Sequence, residues 1–79
     1  MLVLENDDFT SFCREFGERV RRQRQLRGLT QEDMTERGFS LRHFQRIEAG
    51  RSVTLGTVFK LACALGVQPR SLFPEIPKK

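Results

Sequence analysis

The chain has 79 residues, 38% of them hydrophobic and 30% charged, and carries a net charge of +4 at pH 7. That length suits one small domain with a single core and leaves no room for an enzyme with a deep cleft. No apolar run approaches the roughly 18 residues of a membrane span. The acidic opening MLVLENDDF also lacks the basic end and long apolar stretch of a signal peptide. We therefore expect a cytoplasmic protein with no membrane partner.

Basic charge is concentrated in the middle of the chain. Residues 1–18 contain five acidic residues and one arginine, whereas residues 19–51 contain nine arginines and four acidic residues. A guanidinium group forms two parallel hydrogen bonds with phosphate or guanine. The distribution suits a nucleic-acid partner, but a solvated helix face has the same composition. Charge alone leaves both interpretations open.

The first predicted helix runs from about Asp8 to Arg27. Asp7 or Asp8 is expected to cap it and Gly28 to end it. Its apolar residues recur at helical spacing and are Phe9, Phe12, Cys13, Phe16 and Val20. Gly17 inside the helix costs about 1 kcal/mol relative to Ala, which predicts a close packing contact or a slight bend there.

Two short helices follow. The first has Thr30 as its N-cap, with Asp33 three residues later, and ends near Gly38. The second has Ser40 as its N-cap and ends at Gly50. The sequence therefore predicts two short helices joined by a tight turn that contains glycine.

Two more helices complete the predicted fold. Thr54 caps LGTVFKLACALG, which ends at Gly66, and Pro69 begins a final short helix, PRSLF. The apolar face of the longer helix is predicted to consist of Leu55, Val58, Phe59, Ala62 and Leu65. The pattern predicts an all-α fold of five helices, and a charged tail occupies residues 74–79.

The helix from Phe39 to Gly50 has two distinct faces. At 100° per residue, Phe44, Ile47 and Glu48 fall on one side, and Phe39 and Phe44 have the spacing of a hydrophobic staple. Its other side carries Arg42, His43, Gln45 and Arg46. A helix-turn-helix unit needs such a polar face on its second helix to enter the major groove, where arginine can bind guanine with two hydrogen bonds.

Three segments carry a resemblance to a known family. ERVRRQRQLRGLTQEDM, RIEAGR and VFKLACALGVQPRSLF follow one another at the spacing of the Cro/C1-type (XRE-family) helix-turn-helix domain, which residues 16–73 resemble. The resemblance implies a five-helix, lambda-repressor-like domain that binds double-stranded operator DNA as a homodimer and regulates transcription. Residues 1–15 lie outside that pattern and are interpreted as an N-terminal extension of the first helix.

The resemblance also implies roles for individual residues. The residues assigned to base contacts are Leu41, Arg42, His43, Gln45 and Arg46. Those assigned to phosphate contacts are Thr30, Gln31, Ser40, Arg51 and Ser52. Arg24 and Glu48 match a pair that ties the first helix to the recognition helix, at about residues 41–48. The residues assigned to the dimer interface are Val67, Leu72, Phe73 and Ile76. A phosphate at the start of the second helix also agrees with the affinity of helix N-termini for anions.

The chain departs from the family pattern at three points. The turn in TERGFS is one residue shorter, and Thr35 stands where the family usually has Ala. Leu41 replaces a polar residue, and an apolar side chain there contacts only a thymine methyl group or packs locally. A shorter turn changes the tilt of the recognition helix, so these departures leave open which bases the arginines reach.

Two functions remain in competition. The first is a dimeric, sequence-specific DNA-binding regulator similar to restriction-modification controller proteins or small phage-type repressors. The second is a protein-interaction module, antitoxin-like or an adaptor, that keeps the helical fold. An enzyme is not expected, because the sequence offers no nucleophile and base pair, no phosphate-binding loop and no set of metal ligands. No cofactor or metal is therefore predicted.

Several residues have simpler interpretations. Cys13 and Cys63 are expected to be buried or half-buried thiols. Solvent exposure is expected for most of Arg19, Arg21, Arg22, Arg27 and Arg37. The phenylalanines at 9, 12 and 16 either cover one end of the core or extend the dimer contact, and the sequence does not choose between these roles.

Overall fold

The computed structural model describes residues 5–75, which form three α-helices, two 3₁₀ helices and no strand. The elements are α1 (Asn6–Leu26), η1 (Glu32–Arg37), α2 (Leu41–Glu48), α3 (Leu55–Leu65) and η2 (Pro69–Leu72). The predicted all-α fold with a long first helix is confirmed, and the second and fifth predicted helices are 3₁₀ helices. Predictions for residues 1–4 and 76–79, including Ile76, lie outside the described residues.

Helix α1 begins two residues earlier than predicted. Glu5 is the N-cap, and its backbone N–H donates to the Asp8 carboxylate at 3.0 Å. Asp8 therefore closes the first turn from inside the helix, and Asp7 also lies within that turn, so the predicted N-cap at Asp7 or Asp8 is wrong. Helix α1 is continuous from Asn6, and Gly28 (φ 67°) follows its end in the left-handed region.

Gly17 lies where α1 crosses α2. A Cβ atom added at Gly17 would lie 2.6 Å from the carbonyl oxygen of Ile47 and 2.8 Å from that of Glu48. These distances are shorter than van der Waals contact, so only glycine lets the two helices approach this closely. The close packing contact predicted from the sequence is confirmed.

The turn between η1 and α2 has only three residues, 38–40, and is closed by local and distant contacts. Gly38 has φ 99°, and the backbone N–H of Phe39 donates to Met34 O at 3.2 Å. Lys60 of α3 donates from Nζ to the Gly38 carbonyl and lies 4.6 Å from the centroid of the Phe39 ring. Arg37 is exposed, yet its guanidinium donates to Ala64 O at 2.7 Å. Helix α3 therefore holds the short turn in place.

The core lies among all five helical elements and is almost entirely apolar. It contains Phe16, Val20, Met34, Phe39, Phe44, Ile47, Val58, Leu61, Ala62, Leu65 and Leu72. The predicted face of α3 is wrong at Leu55 and Phe59, which are 83% and 67% exposed. Because α3 has apolar residues around most of its circumference, its spacing fits two faces, and packing on α1 selects the one with Leu61.

Candidate nucleic-acid interface

Helix α2 is held by one apolar face and one N-terminal cap. The Ser40 hydroxyl accepts a hydrogen bond from the His43 backbone N–H at 3.1 Å, as the sequence predicts. Phe44 and Ile47 are fully buried, and the rings of Phe39 and Phe44 meet edge to face with centroids 5.8 Å apart. Arg42, His43, Gln45 and Arg46 are exposed to solvent.

Most of the predicted DNA contacts line one open groove of about 690 Å³. They are Ser40, Arg42, His43, Arg46, Arg51 and Ser52. Both arginines of α2 are exposed, and so is Arg51 in the loop that follows. The groove is also lined by Phe9, Thr10 and Cys13 of α1, which sequence reasoning did not associate with DNA. The first turns of α1 thus lie beside the polar face of α2.

Leu41 and Gln45 do not line this groove. They are four residues apart on α2, so they share one side of the helix. Leu41 is half-buried, whereas Gln45 is exposed and donates from Nε2 to Gln31 Oε1 at 3.4 Å. The polar face of α2 is therefore divided into an arginine-rich side and a side that faces η1.

Glu48 is the only acidic residue of α2, and its side chain is 1% exposed. Its carboxylate accepts from Arg24 Nε at 2.7 Å and from Arg24 Nη2 at 3.1 Å, so the predicted pair is present with two hydrogen bonds. Arg24 also donates from Nη1 to Leu29 O at 2.8 Å. Arg21 Nε lies 3.5 Å from Glu48 Oε1. Sequence reasoning missed this contact of Arg21 with Glu48. The one signal that could have indicated it is the position of Arg21 three residues before Arg24, on the same face of the helix.

Gln31 and Thr30, both predicted to contact phosphate, have partners within the protein. Gln31 donates from Nε2 to Glu48 Oε1 at 2.9 Å. The Thr30 N–H donates to the Asp33 carboxylate at 2.7 Å, and the Asp33 N–H donates to the Thr30 hydroxyl at 3.0 Å. Backbone and hydroxyl hydrogen bonds from Thr30, with a smaller contribution from the charge of Arg37, lower the pKa of Asp33. The phosphate contacts of Thr30 and Gln31 remain predictions.

Comparison with known proteins decides the family. A family model described as a helix-turn-helix domain matches residues 15–75. The chain belongs to the helix-turn-helix family. Among solved structures it is similar to the restriction-modification controller protein C.AhdI from Aeromonas hydrophila, with 38% sequence identity and a TM-score of 0.72 over 77% of this chain and 96% of that chain. No curated protein gave a significant match. Together these similarities indicate a DNA-binding regulator.

The family match begins inside α1. Residues 6–14 precede it and form the first nine residues of α1. In this extension Phe12 and Cys13 are half-buried and Phe9 is 60% exposed. Burial raises the pKa of the Cys13 thiol. Cys63 is free and exposed, so the expectation of a buried or half-buried thiol is wrong there.

The predicted dimer residues differ in accessibility. Leu72 is fully buried in the core, so its assignment to a dimer interface is wrong: it has no surface to offer a partner. Val67 is half-buried. Phe73 is 36% exposed, and its ring packs on those of Phe12 and Phe16 at centroid distances of 6.0 and 5.8 Å.

Two other kinds of site are absent from the described part of the chain. Within residues 5–75, no group of three or more His, Cys, Asp and Glu side chains is placed to hold a metal ion. In the same range, no helix has the length and hydropathy that crossing a bilayer requires.

Proposed function

We propose that this protein is a sequence-specific regulator of transcription that inserts α2, residues 41–48, into the major groove of double-stranded DNA. One observation carries the proposal: the exposed surface of α2 has no negative charge. Its single acidic residue, Glu48, is buried against Arg24, while Arg42 and Arg46 point away from the core and are exposed. Guanidinium groups on such a face suit hydrogen bonding to guanine.

Residues around α2 support binding to the DNA backbone. Ser40, Arg51 and Ser52 line the same groove as the two arginines of α2. Arginine and serine side chains are common phosphate ligands, and such contacts set the register of a protein on the duplex without reading sequence. Thr30 and Gln31, at the start of the second helix of the unit, are proposed to complete the phosphate contacts.

The test is a pair of substitutions at the proposed reading residues. Operator DNA is first selected from a random pool with the parent protein, and dissociation constants are then measured by fluorescence anisotropy. Arg42→Ala and Arg46→Ala should each cost about 1–3 kcal/mol on the selected site and relax sequence preference. Arg19→Ala is the matched control, because Arg19 is exposed on α1 and lines a different surface, with Ser71 and Pro74. If both α2 variants bind like the parent, α2 is not the reading element.

A homodimer is the second part of the proposal. The large apolar side chains that are exposed among the described residues are Phe9, Leu26, Leu55, Phe59 and Phe73. Three of them, Phe9, Leu55 and Phe73, line one apolar groove of about 120 Å³. A two-fold dimer covers such a surface with its own copy and places two α2 helices about one DNA turn apart. C.AhdI is a restriction-modification controller, and we propose the same class of regulator here.

Sedimentation velocity tests the dimer. Leu55→Asp and Phe73→Asp each place a charge in the apolar surface, so each should give the mass of a monomer at concentrations where the parent is a dimer. Leu26→Asp is the control, because Leu26 is exposed near the other end of α1. An unchanged mass for both test variants would exclude this surface.

The exposed apolar surface also favours the alternative function, a protein-interaction module. Ionic strength separates the two. DNA binding releases counterions and must weaken steeply as salt rises, whereas an apolar protein contact must not. If no sequence is enriched from the random pool, the interaction module is favoured.

A further inference from the structure

The N-terminal extension of α1, residues 6–14, is fixed against the domain at two points. Phe12 stacks on Phe73 with ring centroids 6.0 Å apart. At Gly50, which follows α2 with φ 96°, an added Cβ would lie 3.1 Å from Arg14 Cα, so the two backbones touch there. The extension precedes the residues that match the family, yet it has a defined position beside the end of α2.

That position makes the extension one wall of the open groove beside α2. Phe9 and Thr10, both exposed, line the groove from α1. Arg42 and Arg46 line it from α2, and Arg51 lines it from the loop that follows. Among residues 5–75, no acidic side chain lines this groove. Its charge is therefore positive.

A second groove along α1 has a different charge. It has the same volume, about 690 Å³, but three acidic residues line it, Glu15, Glu18 and Glu75, together with Arg19 and Arg22. Charges of both signs attract a polyanion less than charges of one positive sign. Of these two grooves, the one beside α2 suits a strand of nucleic acid.

The groove beside α2 also contains an exposed aromatic ring. The Phe9 side chain is 60% exposed, and a single exposed ring needs no explanation by itself. Here, however, it lines the same groove as three arginines. A nucleic-acid strand carries charged phosphates and less polar sugars in alternation. Guanidinium groups bind the phosphates, and a neighbouring ring can cover a sugar.

We propose that the extension of α1 holds the sugar–phosphate backbone of one DNA strand in this groove, with Phe9 packed on a deoxyribose. This proposal rests on the proposed DNA-binding function and adds to it a residue that precedes the family match. A sugar contact carries no sequence information. An uncharged ring releases no counterion when it binds. Phe9 therefore contributes affinity that depends neither on sequence nor on salt.

The first test is the loss of the ring. Dissociation constants of Phe9→Ala are measured by fluorescence anisotropy over a range of salt concentrations, on the selected operator and on an unrelated duplex. Binding to both should weaken by one common factor, on the order of fivefold for the apolar area exposed again, and the salt slope should not change. Leu26→Ala is the matched control, because Leu26 is an exposed apolar residue of α1 that lines the second groove. It should bind like the parent.

The second test adds a charge at the same position. Phe9→Lys places an ammonium group beside the bound strand, so the slope of log affinity against log salt should steepen by about 0.9, the value for one phosphate. Leu26→Lys adds the same charge at the second groove and should leave the slope unchanged. Because both side chains are exposed, the two variants should fold like the parent.

Phe9 lines the apolar groove of the proposed dimer as well, so an effect on association must be separated from a contact with DNA. A duplex with one half-site, which one subunit binds, separates them. Phe9→Ala should weaken half-site binding by the same factor as before. Leu55→Ala should not weaken it, because Leu55 lines the apolar groove and not the groove beside α2.

Four results overturn the proposal while DNA binding stands. They are a Phe9→Ala variant that binds like the parent, one that changes sequence preference at a single position, equal salt slopes for Phe9→Lys and Leu26→Lys, and equal losses of half-site binding for Phe9→Ala and Leu55→Ala. In each case Arg46→Ala would still lose affinity for the operator. A parent protein that enriches no motif overturns the proposed function itself, and this inference with it.

Discussion

The two ends of α1 are held to the domain by different kinds of contact. Near its C-terminal end, Arg24 binds the buried Glu48 of α2 with two hydrogen bonds, and near its middle Gly17 lets the two helices touch along their backbones. Toward its N-terminal end, Phe12 packs on Phe73 at 6.0 Å beside an open apolar groove. One end is polar and closed, and the other is apolar and partly open.

The two ends of α1 differ because a polar contact fixes the orientation of its partner and an apolar contact does not. A buried charge has few acceptable partners and fixed bond directions, so it holds α2 at one orientation on α1. Apolar contacts have no preferred direction, and they leave exposed area that another surface can cover. The closed end of α1 therefore fixes the orientation of α2, the helix proposed to enter the major groove, and the open end leaves apolar surface for the proposed dimer.

Arg24→Met should have the largest effect on stability. It leaves the buried Glu48 carboxylate with only Gln31 and the longer contact to Arg21, and removal of one partner of a buried ion pair costs about 3–5 kcal/mol. Urea denaturation measures the free energy of unfolding. Arg19→Met, at an exposed site on the same helix, should change it by less than about 0.5 kcal/mol. Equal stability of Arg24→Met and Arg19→Met would mean that the ion pair with Glu48 does not stabilise this end of α1.

Gly17→Ala should have the next largest effect. The added Cβ meets two backbone carbonyl oxygens at 2.6 and 2.8 Å, so α1 and α2 must move apart at a cost of about 1–3 kcal/mol. Gly56→Ala is the matched control in α3, where the nearest atom to an added Cβ is 3.7 Å away. There the change should stabilise the helix by up to about 1 kcal/mol. Thermal unfolding measures both, and a shift of the same sign in the two variants contradicts the prediction.

Phe12→Ala should cost less, about 1–2 kcal/mol, because the ring is half-buried and loses one stacked partner, Phe73. Phe9→Ala, at a 60% exposed ring, should change the stability of the monomer by less than about 0.5 kcal/mol. Unfolding at low protein concentration measures the monomer contribution alone. A larger loss for Phe9 than for Phe12 would mean that the N-terminal end is not open.

Asp33→Asn should have the smallest effect, and one that depends on pH. The fold lowers the pKa of Asp33 below its ordinary value of 3.8 through its hydrogen bonds with Thr30. A lowered carboxyl pKa contributes stability above the ordinary value, and this contribution is lost as pH falls through the lowered one. The parent should therefore be more stable than Asp33→Asn near neutral pH, and the gap should close below pH 3.8. Thermal unfolding across pH checks this, with Glu36→Gln as the control for charge loss in η1.

Local and repeated patterns in the sequence determined the fold class, the caps of two helices and the position of one close helix contact. The all-α fold, the Thr30 and Asp33 pairing and the Ser40 cap follow from residues within four positions of one another. Contacts of that range form within a single helical turn, so the residue types and their spacing are enough to predict them. Gly17 and the pair of Arg24 with Glu48 were also predicted, the first from its cost in a helix and the second from the family resemblance.

The tertiary structure alone decided the contacts between distant segments. Lys60 closes the turn at Gly38 from 22 residues away, and Gln31 meets Glu48 across 17 residues. It also buried Leu72 in the core and left Leu55 and Phe59 of α3 exposed. Helical spacing shows which residues share a face, but the shapes of neighbouring helices select the face that is buried. For the same reason only the folded chain joins the buried Glu48 carboxylate, through Gln31, to Gln45 on the exposed face of α2.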